Sequence, residues 1–190
     1  MRGRSVWQTP SGRSSHLPEA VLSATDPMIF HLEMSDRRAC CPKSLPPGFA
    51  VERLAPADPA MNRRFYQLVG APWRWTDKLQ WSDGDWSRYA CREELGTWVA
   101  RLGDDVVGYF ELECQHDGDV EIKYLGLLPD FIGRGLGGPL LSQAVEAAWN
   151  LGGTRRVWVH TCTDDHEHAL GNYLKRGFTI FKTEPIERQA

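Results

Sequence analysis

Apolar positions recur along the chain in two patterns, one typical of helices and one of strands. Between Gly135 and Leu151 they are spaced three and four residues apart, which gives one apolar stripe and predicts an amphipathic helix. Shorter runs rich in Val and Trp, such as Arg156–Thr163, predict strands. Asp58 followed by Pro59 predicts the start of another helix, because Asp accepts hydrogen bonds from free amides and Pro fits the first turn.

The order of the predicted elements indicates a mixed α/β fold. In chain order they are a strand at Phe49–Leu54, a helix from Asp58, a helix at Trp86–Leu95, strands at Gly96–Leu102, Val106–Cys114 and Val120–Leu127, a helix at Gly135–Leu151, a strand at Arg156–Thr163, a helix at Glu167–Arg176 and a strand at Phe178–Lys182. The chain has 190 residues, which is enough for one domain with a substantial core, and it contains no internal repeats, so we expect a single domain.

The first quarter of the chain lacks such patterns. Met1–Pro18 is rich in Arg, Ser, Gly and Pro, contains no acid and lacks the apolar core of a signal peptide. Cys41–Pro47 is rich in proline, as linkers are. We therefore expect residues 1–46 to form a flexible N-terminal extension and linker, and residues 47–190 to form the folded domain.

Composition and charge narrow the class of protein. The 190 residues are 42% apolar and 25% charged, which is normal for a soluble globular protein, and the net charge of −3 argues against a general nucleic-acid binder. No apolar run approaches the roughly 18 residues of a membrane span. The five cysteines are dispersed without a C-x-x-C pair, so we expect free thiols, a cytoplasmic location and no bound metal.

The strongest chemical signal is the glycine-rich segment Phe131–Gly138, which lies between a predicted strand and a predicted helix. Free amides and the helix dipole at such a junction bind anions, and glycines let a phosphate approach closely. A P-loop would need Lys and Ser or Thr after the last glycine, where Pro139 and Leu140 stand. A dinucleotide fingerprint is present, but too few βα units follow it. A coenzyme A pyrophosphate loop is the third interpretation, and the flanking residues support it.

Two blocks of sequence resemble the GNAT superfamily of N-acetyltransferases. The first, Leu125–Gly137, contains a strand, a proline and the glycine loop, and the second, Ala169–Phe178, ends in Tyr-Leu-Lys-Arg-Gly-Phe. Two positions depart from the family pattern: Ile132 stands where Arg or Gln is usual, and His166 where Asn is common. The resemblance implies a single-domain acyl-CoA N-acyltransferase fold with a mixed, mostly antiparallel central sheet and flanking helices.

The same resemblance implies the ligands. Acetyl-CoA would be the co-substrate, without a metal, and the acceptor would be the amine of a small molecule or a peptide. Neither a nucleic acid nor a membrane is implied as a partner, and a homodimer is compatible with the family. The coenzyme would be held by the strand before the loop, where Gly126 allows close approach, by the loop and by a later lysine. These residues are Leu125, Leu127, Ile132, Gly133, Arg134, Gly135, Leu136, Gly137, Gly138 and Lys175.

Acetyl transfer to an amine also needs an acid for the leaving thiolate and a base for the amine. The family often places a tyrosine near the coenzyme sulfur, at the position of Tyr173, so we expect Tyr173 to be the general acid. Glu121, on the strand that leads to the loop, is the first candidate for the base, and Glu113 is the second. His160, in the middle of a later strand, could act as the base or bind the acceptor.

Four tryptophans between Trp73 and Trp86 either wall the acceptor pocket or anchor a loop to the core. The leading hypothesis is an enzyme that moves an acetyl group from acetyl-CoA to a primary amine by direct attack. The alternatives are a catalytically degenerate acyl-CoA-binding regulatory module and a nucleotide-dependent oxidoreductase.

Overall fold

Seven strands form one sheet in the computed structural model, which describes residues 27–186. The strands are β1 (Met28–Met34), β2 (Phe49–Arg53), β3 (Leu95–Leu102), β4 (Asp105–Cys114), β5 (Asp119–Leu127), β6 (Arg156–Cys162) and β7 (Thr179–Pro185). The α-helices are α1 (Pro59–Gly70), α2 (Asp83–Ala90), α3 (Gly137–Asn150) and α4 (Ala169–Lys175). The order across the sheet is β2-β3-β4-β5-β6-β1-β7, and only β5 and β6 pair in parallel. The predicted mixed, mostly antiparallel α/β fold is confirmed.

Helices cover both faces of the sheet because each buries an apolar stripe. α3 buries its leucines, alanines and valine in the largest core cluster, together with Trp98 and Phe110. α1 places Phe65 in a second cluster with Val99 and Tyr109. Successive side chains of a strand point to opposite faces of the sheet, so β3 and β4 contribute side chains to both clusters.

Local capping signals set the starts of the first two helices. Asp58 accepts a hydrogen bond from a first-turn amide at 3.0 Å, and Pro59 opens α1, as predicted. The helix α2 was predicted to begin at Trp86, but it begins at Asp83. The earlier start is explained by a reciprocal capping box between Ser82 and Asp85. The boundary error therefore has a local cause that was already visible in the sequence.

The N-terminal strand is the main departure from the sequence predictions. β1 lies inside the sheet, antiparallel to β6 on one side and to β7 on the other, and buries Leu32 and Met34. The segment after it is tied to α3, since the amide of Lys43 donates to Oγ of Ser142 at 2.8 Å. The expectation of a flexible extension over residues 1–46 was therefore wrong for residues 28–46, while residues 1–26 lie outside the described range.

β5 and β6 separate after a short parallel ladder. They pair only over Asp119–Glu121. β5 stays paired with β4 as far as Leu127, but Lys123 is an extra, bulged residue between the paired Ile122 and Tyr124. Because a bulge bends and twists its strand, β5 turns away from β6 and a groove opens between them.

Candidate active site

The groove between β5 and β6 has a volume of about 1700 Å³. Its walls are the separated parts of these two strands, the segment between α1 and α2, and the loops that begin α3 and α4. Because the two strands do not pair beyond Glu121, alternate backbone groups of residues 122–127 face the groove. An extended ligand with amide groups could pair with this backbone.

The glycine-rich loop forms the part of the groove suited to an anion. Gly133 and Gly135 have φ angles of 80° and 75°, and a Cβ at either position would meet nothing within 4 Å. α3 begins at Gly137, and its N-cap, Leu136, offers no side-chain acceptor to the first amides. No backbone hydrogen bond within residues 27–186 starts from an amide of residues 133–138. These amides and the positive end of the helix dipole are therefore available to an anion.

The structure brings the predicted coenzyme residues to this groove with one exception. The lining residues among them are Leu125, Leu127, Ile132, Gly133, Gly135, Leu136, Gly137, Gly138 and Lys175. Arg134 does not line the groove, because its guanidinium lies over the ring of Phe131, 5.0 Å from the centroid. At Gly126 a Cβ would lie 2.3 Å from Cγ1 of Val69, so this glycine makes room for α1.

Tyr173 lines the groove from α4. It is 8% exposed, and its ring packs edge-on against Phe178 with 5.9 Å between the centroids. Burial, together with the nearby negative charge of Asp165, raises the pKa of Tyr173 above its ordinary value. The phenol therefore keeps its proton at neutral pH and can donate it to a base that forms beside it.

His160 and Glu121 meet where β5 and β6 part. The side chain of His160 is 47% exposed and lines the groove, whereas that of Glu121 is 2% exposed and lies behind the wall. Nδ1 of His160 is 3.5 Å from Oε1 of Glu121. The other oxygen of this carboxylate, Oε2, accepts hydrogen bonds from Gln115 at 2.8 Å and from Lys123 at 3.1 Å. Burial opposes ionisation of Glu121, but the hydrogen bonds from His160 and Lys123 hold its pKa below the ordinary value. Glu121 therefore remains a carboxylate.

Two carboxylates on β4 lie outside the groove. Glu113, the second candidate for the base, forms an ion pair with Arg92 at 2.7 Å. Glu111 is buried and accepts hydrogen bonds from Asn62 at 2.8 Å and Tyr89 at 2.5 Å. Neither carboxylate is among the residues that line the groove.

The four tryptophans between Trp73 and Trp86 divide into two pairs. Trp73 and Trp75 line the groove, and Trp73 makes an edge contact with His166 at 5.3 Å between ring centroids. Trp81 and Trp86 are also 5.3 Å apart, within a separate core cluster. Trp73 and Trp75 therefore form part of the groove wall, whereas Trp81 and Trp86 anchor the segment between α1 and α2 to the core.

An ammonium group surrounded by aromatic rings lies behind the groove wall and was not predicted. Nζ of Lys78 donates to Asp77 and, at 2.7 Å, to the hydroxyl of Tyr124, and both partners line the groove. Four ring centroids lie 4.8 to 5.7 Å from Nζ, those of Tyr66, Trp81, Tyr89 and Tyr124. The rings come from α1, α2, β5 and the segment between the helices, so no local sequence signal could have grouped them.

Other features bear on the chemistry of the chain. All five cysteines are free thiols, as predicted. Within residues 27–186, no group of three or more His, Cys, Asp and Glu side chains could hold a metal ion. In that same part of the chain, every helix is too short or too polar to cross a membrane.

Known proteins are similar to this chain in sequence. A profile described as the acetyltransferase (GNAT) family matches residues 62–178. Mycothiol acetyltransferase of Corynebacterium efficiens is 32% identical over 105 residues, which are 51% of this chain and 35% of that protein. An uncharacterized N-acetyltransferase of Methanocaldococcus jannaschii is 27% identical over 128 residues, which are 60% of this chain and 54% of that protein. The chain thus spans about a third to half the length of these relatives.

Solved structures share the fold. A GCN5-related N-acetyltransferase from Sphaerobacter thermophilus has a TM-score of 0.64 and 17% identity, over 83% of this chain and 50% of that chain. One from Kribbella flavida has a TM-score of 0.61 and 17% identity, over 83% of this chain and 58% of that chain. The matched profile covers more than half of the chain and both sequence blocks that form the groove, so the chain belongs to the acetyltransferase (GNAT) family.

Proposed function

We propose that this protein is an N-acetyltransferase that moves the acetyl group of acetyl-CoA to a primary amine of a small molecule or peptide by direct attack. One observation carries the proposal: the free amides of the glycine loop, the unpaired edge of β5, His160 and Tyr173 all open into the same groove. Together they can hold phosphates, align an extended thioester, accept a proton and supply one. These are the requirements of acetyl transfer to an amine.

Coenzyme A fits the chemistry of the groove. Its pyrophosphate would accept hydrogen bonds from the amides of residues 133–138, and its pantetheine amides would pair with the backbone of residues 122–127. When bound, acetyl-CoA supplies an acetyl group activated as a thioester. Ile132 replaces a polar residue of the family pattern but leaves the backbone amides of the loop available.

We assign the role of base to His160. A carboxylate can only accept hydrogen bonds, so Nδ1 of His160 would carry the proton that faces Glu121, and Nε2 of the neutral imidazole would be left with its lone pair. Nε2 would take a proton from the amine as the nitrogen attacks the thioester carbonyl. Glu121 acts through His160 as a positioning residue, since its own oxygens are buried and occupied.

We assign the role of general acid to Tyr173. Attack of the amine forms a C–N bond, and breaking the C–S bond leaves a thiolate that needs a proton. Burial raises the pKa of Tyr173, so the hydroxyl is protonated when the thiolate forms. The same buried surroundings make the thiolate more basic, which favours the transfer.

Four acidic residues in the groove lining also favour a cationic acceptor. The loop between β6 and α4 brings Asp164, Asp165 and Glu167 to the groove, and Asp77 lines it from the segment before α2. Carboxylates raise the local concentration of protonated amines. The two lining tryptophans add flat apolar surface that can contact the rest of the acceptor.

Turnover is the direct test of the proposed function. The protein is incubated with acetyl-CoA and a panel of amino acids, polyamines, aminoglycosides, aromatic amines and peptides, and the free thiol is measured. Aminoglycosides are included because a fold neighbour, with a TM-score of 0.52, is an aminoglycoside acetyltransferase in complex with sisomicin. Amine-dependent thiol release with an acetylated product supports the proposal. Coenzyme binding without release with any amine would instead indicate the degenerate binding module.

A substitution of His160 tests the base. His160→Gln should lower kcat by about 10²- to 10⁴-fold and leave the Kd for acetyl-CoA unchanged. His31→Gln is the matched control, because His31 pairs with His160 across β1 and β6 and binds Glu184 at 2.7 Å, but does not line the groove. Similar losses of kcat in both variants would contradict the assignment.

A further inference from the structure

The segment that follows β1 crosses the start of α3 and the end of α4. The amide of Cys41 donates to the carbonyl of Arg176 at 3.1 Å, and that of Lys43 donates to Oγ of Ser142 at 2.8 Å. Ser142 in turn donates to the carbonyl of Gly138 at 2.9 Å. The backbone of this segment is therefore fixed beside the first turn of α3.

A glycine of the second sequence block makes this approach sterically feasible. Gly177 has a φ angle of +97°, and a Cβ there would lie 2.0 Å from the carbonyl oxygen of Ala39. A side chain at this position would both strain the backbone and push the segment away. The close approach shows that the segment is part of the folded unit.

Two cationic side chains meet at the first turn of α3. A Cβ built at Gly138 would lie 2.7 Å from Cδ of Lys43 and 2.9 Å from Nη1 of Arg176, and all three residues line the groove. Nε of Arg176 is buried and has no hydrogen-bond partner in the described part of the chain. None of the ion pairs within residues 27–186 includes Lys43 or Arg176. Two cationic side chains beside the positive end of a helix dipole favour the binding of an anion there, because an anion offsets their mutual repulsion.

We infer that Lys43 and Arg176 bind a phosphate group of the coenzyme, so that the N-terminal segment completes the coenzyme site. The inference rests on the proposed function, which places coenzyme A in this groove. The amides of residues 133–138 contribute neutral donors, whereas Lys43 adds a point charge and Arg176 a planar fork that matches phosphate oxygens. Two phosphates are candidates, the pyrophosphate and the 3′-phosphate, and their chemistry allows them to be separated by experiment.

Calorimetric titration of the full chain measures binding of coenzyme A, 3′-dephospho-coenzyme A and pantetheine. Lys43→Met and Arg176→Met should each weaken coenzyme A binding by about tenfold or more, as expected for the loss of a charged hydrogen bond. Lys43→Arg should restore most of the affinity. Lys43 is exposed, so its substitution should leave the melting temperature unchanged. Arg64→Met, which removes an exposed cation from α1, is the control and should change no affinity.

The three ligands make the outcomes distinct. A loss with coenzyme A that disappears with the dephospho form assigns the pair to the 3′-phosphate. A loss that persists with the dephospho form and disappears with pantetheine assigns it to the pyrophosphate. Unchanged coenzyme A affinity in both folded variants, or an equal loss with pantetheine, overturns the inference and leaves the proposed function intact. A wild-type protein that does not bind coenzyme A overturns the proposed function and this inference with it.

Discussion

Replacement of the buried Glu111 by glutamine should stabilise the protein at neutral and alkaline pH. Glu111 is 1% exposed, and its carboxyl accepts hydrogen bonds from Asn62 and Tyr89. Burial outweighs these bonds and raises the pKa of Glu111 from 4.5 to about 7. Glutamine keeps the shape and both contacts, because its oxygen can accept from Asn62 and its amide can donate to the hydroxyl of Tyr89.

The sign and size of the effect follow from the raised pKa. Between pH 4.5 and about 7 the folded state binds more protons at Glu111 than the unfolded state does. The stabilising contribution of Glu111 to the free energy of unfolding is therefore complete below pH 4.5. It decreases as the pH rises from 4.5 to about 7, and it does not change further at higher pH. The rise in the pKa of Glu111 lowers the free energy of unfolding by about 3 kcal/mol at high pH, since each pKa unit corresponds to about 1.4 kcal/mol. Glutamine does not titrate, so the variant escapes this loss.

Urea unfolding followed by tryptophan fluorescence measures the difference. The free energies of unfolding of Glu111→Gln and wild type should be similar near pH 4.5, and the variant should be more stable by about 3 kcal/mol at pH 8. Other titrating groups affect both proteins equally, so the difference isolates Glu111. A difference that does not change with pH would refute the reasoning, because it would mean that Glu111 titrates alike in both states.

Three further predictions concern the groove and the N-terminal strand. Gly135→Asp should abolish coenzyme A binding in calorimetry, because a carboxylate would face the phosphates and the φ angle of 75° strains a side chain; unchanged affinity in a folded variant would contradict the anion site. Tyr173→Phe should lower kcat by roughly 10²-fold with little change in acetyl-CoA affinity, and activity within about threefold of wild type would leave Tyr173 only a packing role. Deletion of residues 1–46 should abolish the cooperative thermal transition, because it removes β1 from the sheet, whereas deletion of residues 1–26 leaves β1 in place and is the control.

The sequence predicted well those features that depend on neighbouring residues. The start of α1 depends on Asp58 and Pro59, which act within one turn. The glycine loop is contiguous, so its chemistry could be read before its place in the fold was known. The start of α2 could have been found in the same way, since Ser82 and Asp85 have the spacing of a capping box.

Features that depend on distant residues were missed. Phe30, Leu32 and Met34 alternate with polar residues, which is a strand signal, but the flanking composition obscured it and the partners β6 and β7 lie more than a hundred positions away. Lys43 reaches the groove only because β1 is anchored in the sheet. The rings around Lys78 likewise come together only in the folded chain.

The position of β1 also explains how the sheet remains intact although β5 and β6 separate to form the groove. Where a strand separates from one neighbour, it loses the backbone hydrogen bonds on that side. Its position is then fixed by hydrogen bonds to the strand on its other side. β6 has such a partner, since β1 pairs with it from Ile29 opposite Cys162 to Met34 opposite Val157. β5 has another in β4, which pairs with it as far as Leu127. Both walls are therefore held from behind, and the backbone groups that face the groove remain free for a ligand.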